Sequence, residues 1–439
     1  MAASFSGSER GAAGLIEAAL AFGIRVLSAG LVLGMQVLLA RLMPMSGYGG
    51  FVTLWTWMLA IGSFGALGFA EAGVRFVPRY LARGREQAVG AFFAFGLRAV
   101  VAGSGALALL GVLAGLLLPG EAGLIAVLVA LGLPFLAMEY YLEGIARGFG
   151  WYRLTTVPVY ILRPLLIGAS ALALHAAGVA LTLPVVGGVV IGAMAAITIG
   201  LALVLRHRLA AYRGAPASRA RAALWLRAAL PLIVVSGLDD LVSYADVLLV
   251  SLMLPPDQVA VYFAAARVLA LANFVSFALY LVAGRRFALD LAARDRTRLQ
   301  ASLLQSTRLT FWCTLLAVAA TLFSGPLLLS AFGDDFGPGY PVMLVLAVGV
   351  VARALSGQAN ELLIVSGGHR QAARILAVTL CVSVAVTIAL VPTLGIVGVA
   401  MGTAIAMAVR TPIVAWVVAR DMGLRLVSVG VPRLVSGPA

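Results

Sequence analysis

Charged and hydrogen-bonding side chains interrupt stretches of sequence that are otherwise apolar, and their spacing is helical. Ser236, Asp239, Ser243 and Asp246 recur at intervals of three, four and three, which lays them along one helix face with Asp240 beside it. Glu17, Arg25, Ser28 and Gln36 share a second face, and Thr156, Tyr160 and Arg163 a third. Arg353, Ser356 and Asn360 make a fourth with Glu361 adjacent, while Arg98, Arg267, Arg308 and Arg410 add isolated cations. A charge near mid-bilayer costs about 2.5–3.5 kcal/mol on insertion scales, so such residues face a bundle interior or a cavity and mark substrate or ion pathways. The competing reading is structural: an arginine can pair with a carboxylate of a neighbouring helix, or snorkel to the membrane surface from near a helix end. The structural reading is taken for Arg98, Arg308 and Arg410, and the functional one for Arg25 and Arg267. Glu139, Glu143 and Arg147 follow one face at intervals of four, which predicts an ion pair between the last two. Trp55 and Trp57 suit either stacking on a sugar or an interfacial, packing role.

The elements that carry these residues are membrane helices. The 439 residues are 62% apolar and 11% charged, against about 45–50% and 25% in soluble domains, more than a soluble core can hide. Apolar stretches repeatedly reach the roughly 20 residues that a helix needs to cross about 30 Å of hydrocarbon. In lipid every peptide group needs an internal partner, which selects helices, and no alternating barrel pattern is present. Spans are expected near 15–40, 49–70, 89–117, 122–145, 154–176, 181–205, 228–253, 258–283, 302–331, 340–366, 372–392 and 396–419, an all-α membrane protein of about twelve helices. The first is expected to remain as a span, since Arg25 lies in its middle and no signal-peptide pattern surrounds it.

Orientation follows from arginine, because the chain has no lysine. The clusters Arg75 to Arg85, Arg206 to Arg227 and Arg285 to Arg298, with Arg10, Arg147, Arg153, Arg370, Arg374, Arg420, Arg425 and Arg433, fall on one side of the span model, and the alternate loops hold only Arg41. The positive-inside rule then puts both termini in the cytoplasm. The net charge of +14 thus reads as a topology signal facing anionic lipid, and no nucleic-acid partner is expected. Short external loops leave no room for an extracytoplasmic catalytic domain. Cys313 and Cys381 fall within spans, and no nucleotide, dinucleotide or zinc motif occurs, so no cofactor, metal site or enzymatic activity is expected.

The two halves carry a faint duplication. At an offset of 211, Pro44 meets Pro255 and Phe51 meets Tyr262; at an offset of 218, Glu143 and Gly150 meet Glu361 and Gly368. Two six-helix lobes are expected, 1–213 and 214–439, joined through a basic cytoplasmic linker at about 206–227. With an even number of spans in each, the lobes keep one orientation.

Ala40-Arg41-Leu42-Met43-Pro44, Tyr48-Gly49-Gly50-Phe51, Gly65-Ala66-Leu67-Gly68-Phe69 and Val74-Arg75-Phe76-Val77-Pro78-Arg79-Tyr80-Leu81 together resemble the opening of the polysaccharide flippases. These form a branch of the multidrug, oligosaccharidyl-lipid and polysaccharide exporter superfamily. The resemblance continues through Asp246-Val247-Leu248-Leu249-Val250, Val261-Tyr262-Phe263-Ala264-Ala265-Ala266-Arg267, Phe332-Gly333, Gly367-Gly368-His369-Arg370 and Pro392-Thr393-Leu394-Gly395. It implies two six-helix lobes around a cavity that opens alternately to either side of the bacterial inner membrane. It further implies a lipid-linked oligosaccharide as substrate, specifically an undecaprenyl-diphosphate carrier bearing sugars, with polysaccharide-assembly proteins as a class of partner. Arginine presents forked donors to phosphate oxygens, so Arg25, Arg267, Arg163 and Arg353 are the expected substrate-binding residues. Asp239, Asp240, Asp246 and Glu361 are the expected ion-coupling or cavity-lining acids. A cation-coupled multidrug extruder of the same fold is the first alternative, with Asp239, Asp240 and Glu361 as coupling sites. A membrane polysaccharide polymerase or ligase is the second, against which the short external loops weigh.

Overall fold

A computed structural model describes residue 23 and residues 27–212, 218–293 and 295–426, and among them the chain is helical with no strand. Among the described residues, seven helical segments are long and apolar enough to cross a membrane. They are α4 (Glu86–Leu117), α5 (Gly120–Gly148), the run from α6 (Tyr152–Val157) into α7 (Arg163–Ala176), α8 (Leu183–Arg208) with a 3-10 turn after it, α12 (Arg296–Phe323), α16 (His369–Leu394) and α17 (Ile396–Met422). Two bent pairs pass the same test: α2 (Met45–Gly65) with α3 (Phe69–Leu81), bent by 46°, and α14 (Gly339–Ala354) with α15 (Ala359–Val365), bent by 50°. With α1 (Leu27–Leu42), α9 (Arg219–Met253) and the pair α10 (Pro256–Ala270) and α11 (Asn273–Ala292), the described residues hold twelve helical runs in the expected order.

The breaks have local causes. Gly68 takes the left-handed conformation, φ 69°, between α2 and α3, where a side chain would collide with the backbone of Ala229. The expected ninth span, 302–331, is interrupted: α12 stops at Phe323, and α13 (Gly325–Phe332) starts afresh with a proline in its first turn. In the fifth span, Pro158 opens a single π-helical turn, Pro158–Leu162, and the Arg163 N–H bonds back to the Pro158 carbonyl.

The chain divides into two compact units, Met1–Tyr244 and Ala245–Ala439. The division falls inside α9, some thirty residues beyond the expected lobe boundary at 213/214, because the first part of α9 packs into the core of the first unit. Trp225 and Ala229 are fully buried there among Phe69, Phe76, Phe92, Tyr141 and Leu205. Small residues let α3 and α5 touch backbone to backbone, with Gly73 of α3 against Gly144 of α5. In the second unit Phe287, Leu303, Leu362, Ile375 and Val418 share a core. Its hairpin of α16 and α17 turns at Gly395, φ 55°, and closes tightly because Gly398 and Gly402 lie against the α16 backbone.

Bilayer logic accounts for the outer surface. Only 17% of the most apolar stretch of α4 is buried, against 50% in α5, so α4 presents leucines such as Leu113, Leu116 and Leu117 outward while α5 runs through the first unit.

Candidate functional site

In the first unit the polar centre is Arg163 on α7 and Glu139 on α5. The guanidinium donates to Glu139 Oε1 in a pair whose side chains are 6% and 0% exposed. The Arg163 guanidinium carbon also stands 6.0 Å from the ring centre of Trp55, itself packed 6.1 Å from Phe51. Trp55 is therefore a buried partner of a cation, which places it on the packing side of the two readings. Among the described residues, Glu139 Oε2 and Arg163 Nε are buried without hydrogen-bond partners. One turn further along α5, Glu143 pairs with Arg147 at 3.6 Å as expected, and Arg147 reaches Glu71 of α3 at 3.9 Å. Tyr48 donates to the amide oxygen of Gln36 at 3.0 Å, joining α1 to α2.

Sequence reasoning placed Glu139 in the series with Glu143 and Arg147 and missed its bond to Arg163. The signal available was weak: 24 residues separate the two, and nothing in either helix alone says which neighbour each meets. Of the polar stripe on α9, Ser236 donates to the Leu232 carbonyl at 2.8 Å and Asp240 is half-buried. The Asp239 side chain and the whole of Arg25 lie outside the described residues.

In the second unit Asp246 sits inside α9, about two turns before its end at Met253. It accepts from the Val247 N–H at 2.8 Å and from the Tyr262 hydroxyl at 3.1 Å. Arg267, within electrostatic reach of Asp246, lies 4.6 Å from the ring centre of Phe263. Arg353, in the last turn of α14 just before the 50° bend, donates to the side-chain oxygen of Asn273 at 2.8 Å. Arg410 of α17 is within electrostatic reach of it, so two cations of membrane helices stand near one another. Among the described residues none of Arg267, Arg353 and Arg410 forms an ion pair with a carboxylate, unlike Arg163. Glu361 of α15 lies against Gly284 of α11; its Oε2 and the adjacent Asn360 Oδ1 are buried without hydrogen-bond partners among the described residues. No group of acids, histidines and cysteines that would hold a metal occurs among the described residues.

Twelve helical runs carrying polar groups inside an apolar bundle define a multi-pass α-helical membrane protein, in the architecture of membrane transporters. A family model described as "Polysaccharide biosynthesis protein" matches residues 17–283, well over half of the chain, and the chain belongs to that family. Among solved structures, a multidrug resistance MATE family transporter of the MOP superfamily in an inward-facing conformation matches with a TM-score of 0.74 at 16% identity. The match covers 90% of this chain and 94% of that one. The lipid II flippase MurJ in an inward closed conformation matches with a TM-score of 0.72 at 13% identity, over 91% and 87% of the two chains. A MOP superfamily transporter from Pyrococcus furiosus, described by the reverse polarity of its binding pocket, matches at 0.63 and 14% identity over 91% and 92%. The fold is thus that of the exporter superfamily. No curated protein sequence matches the chain.

Proposed function

We propose that the protein is a flippase that carries an undecaprenyl-diphosphate-linked oligosaccharide from the cytoplasmic to the outer leaflet of a bacterial inner membrane. In this reading it acts by alternating access, without catalysing a covalent reaction, and serves the assembly of surface polysaccharide such as O-antigen, capsule or exopolysaccharide. The substrate is a lipid-linked oligosaccharide whose apolar tail stays in membrane lipid. Proteins of polysaccharide assembly are the expected partners, and both termini are cytoplasmic.

One observation carries the reading: Arg267, Arg353 and Arg410 lie in membrane helices with no ion-pair carboxylate among the described residues. Asp246 stands within electrostatic reach of Arg267, whereas Arg353 has the second cation Arg410 in reach instead; retaining cations so placed in a bilayer is costly unless an anion is to be received, and a diphosphate is such an anion. Arg163, already bonded to Glu139, serves this purpose less well than Arg267 and Arg353. Arg25 keeps its role as a cavity arginine by span position. Expected on this reading, Arg267→Ala or Arg353→Ala leaves folded yield intact and slows flipping of a fluorescent undecaprenyl-diphosphate sugar in liposomes. The loss is about 10- to 100-fold, the scale of one hydrogen bond to a charged group. Lysine at either position restores the rate in part, since it keeps the charge without the fork. Wild-type flipping in both alanine variants refutes the assignment.

Glu361 supports a second reading, a cation-coupled extruder of the same fold. A buried carboxylate oxygen without a hydrogen-bond partner among the described residues is a place for a proton or a sodium ion. Transport of an organic cation driven by an imposed ion gradient, and abolished by Glu361→Gln, would favour it over the flippase.

A further inference from the structure

The basic end of the first unit contains a cavity of about 760 Å³ that the transport reading does not use. Its lining includes Arg79 from the last turn of α3, Arg83 and Arg85 from the turn that follows, and Arg221 from the start of α9. Separate stretches of chain therefore bring four arginines to the lining of one concavity. The turn is shaped by Gly84 at φ 63°, and the N–H groups of Arg83 and Arg85 both bond to the Tyr80 carbonyl, at 3.2 and 2.9 Å. The start of α9 is bolted to the same place. The fully buried Trp225 donates its indole N–H to the Tyr80 hydroxyl at 2.8 Å and stands edge-on to Phe92 at 5.3 Å. Arg221 precedes Trp225 by one helical turn, so the anchor that fixes the tryptophan also fixes the turn of α9 that carries the arginine to this cavity.

Against four cations the lining offers one carboxylate, Glu86, and none of the four arginines is in an ion pair with a described residue. The first turn of α4 borders the same cavity and has no side-chain cap, so its positive helix end adds to the field. A topology signal needs arginines only on the correct side of the membrane. It does not need them converged on a cavity and held by a buried tryptophan.

We propose that this cavity is a binding site for a phosphate-bearing anion, either the headgroup of an anionic lipid or a soluble diphosphate. Guanidinium forks match phosphate oxygens in pairs, and four arginines against the one glutamate leave the lining cationic. The site does not depend on the flippase reading.

The test uses the full chain in phosphatidylcholine nanodiscs, with inorganic pyrophosphate as soluble probe and phosphatidylglycerol as lipid probe, the latter followed by its retention over phosphatidylcholine in native mass spectrometry. Arg83→Gln and Arg221→Gln change exposed side chains, and unchanged melting checks that the variants fold. Each is expected to weaken binding of the recognised probe about tenfold, the size of one charge-assisted bond. The pair Arg153→Gln and Arg206→Gln removes the same charge outside the cavity and is expected to change binding less than about twofold, as for distant surface charges. If phosphatidylglycerol in the disc displaces pyrophosphate, or alone is retained, the occupant is the lipid headgroup; if pyrophosphate binds undisturbed, it is the soluble anion. Failure of both probes to bind saturably overturns the proposal, as does equal loss in the control pair, which would reduce the cavity to diffuse surface charge.

Discussion

Glu139 and Arg163 show what a buried ion pair does in a membrane bundle. Each alone would be an uncompensated charge in a medium without water, and together they tie α5 to α7 at the level of Trp55. Glu139→Gln or Arg163→Ala is expected to cost about 3–5 kcal/mol and to lower the folded yield in detergent. Replacing both by leucine and methionine should restore most of that yield, because the desolvation cost goes with the charges. Full yield in either single variant would show the pair to be dispensable and return Arg163 to the candidates for substrate binding. The contrast with Arg353 is instructive: the same residue type, similarly placed in a membrane helix, is met by the neutral amide of Asn273 and so keeps its charge available. Residue type and spacing mark both arginines as interior. Which of them is already occupied depends on the helix opposite.

At the scale of elements, the helices were legible because apolar length and the absence of water leave one solution. Their interruptions were legible only in part. Pro44 and Pro255, matched across the two halves by sequence, adopt nearly the same extended conformation before α2 and α10, with ψ of 149° and 154°. The other match is shifted by a residue: the left-handed glycine after α5 is Gly150, whereas after α15 it is Gly367 rather than the matched Gly368. The π turn before Arg163 and the break at Ser324 arise where a proline meets the helix ladder, and a span of average hydropathy hides both. Close packing of α3 on α5 depends on glycines at the crossing. Gly144→Val would drive its side chain into the backbone of Ala70. It is expected to destabilise the first unit by about 1–3 kcal/mol, the usual cost of overpacking, read as a lower melting temperature in detergent. The same change at Gly200, where an added Cβ meets nothing, should leave melting nearly unaltered.

At the scale of the whole molecule, the arginine asymmetry makes a claim about sidedness. A tag near Gly214, in the basic linker, is expected to be accessible from the cytoplasm, and a tag near Asp335, in the turn after α13, from outside. Accessibility of both from one side would remove the twelve-span topology and the reading of the termini with it.

The sequence by itself determined the class of molecule, the number and order of its helical runs, and the membership of the polar residues in helices, because composition and apolar length answer to the bilayer, a solvent the chain meets everywhere along its length. Only the tertiary structure decided which charges find partners. It gave Glu139 to Arg163 and Tyr262 to Asp246, left Arg267 and Arg353 without an ion-pair carboxylate among the described residues, gathered Arg79, Arg83, Arg85 and Arg221 round one cavity, and carried the start of α9 into the core of the first unit. Helical periodicity says which face of a helix a residue occupies. It says nothing of which distant helix lies against that face, and a charge in a bundle takes its role from that neighbour.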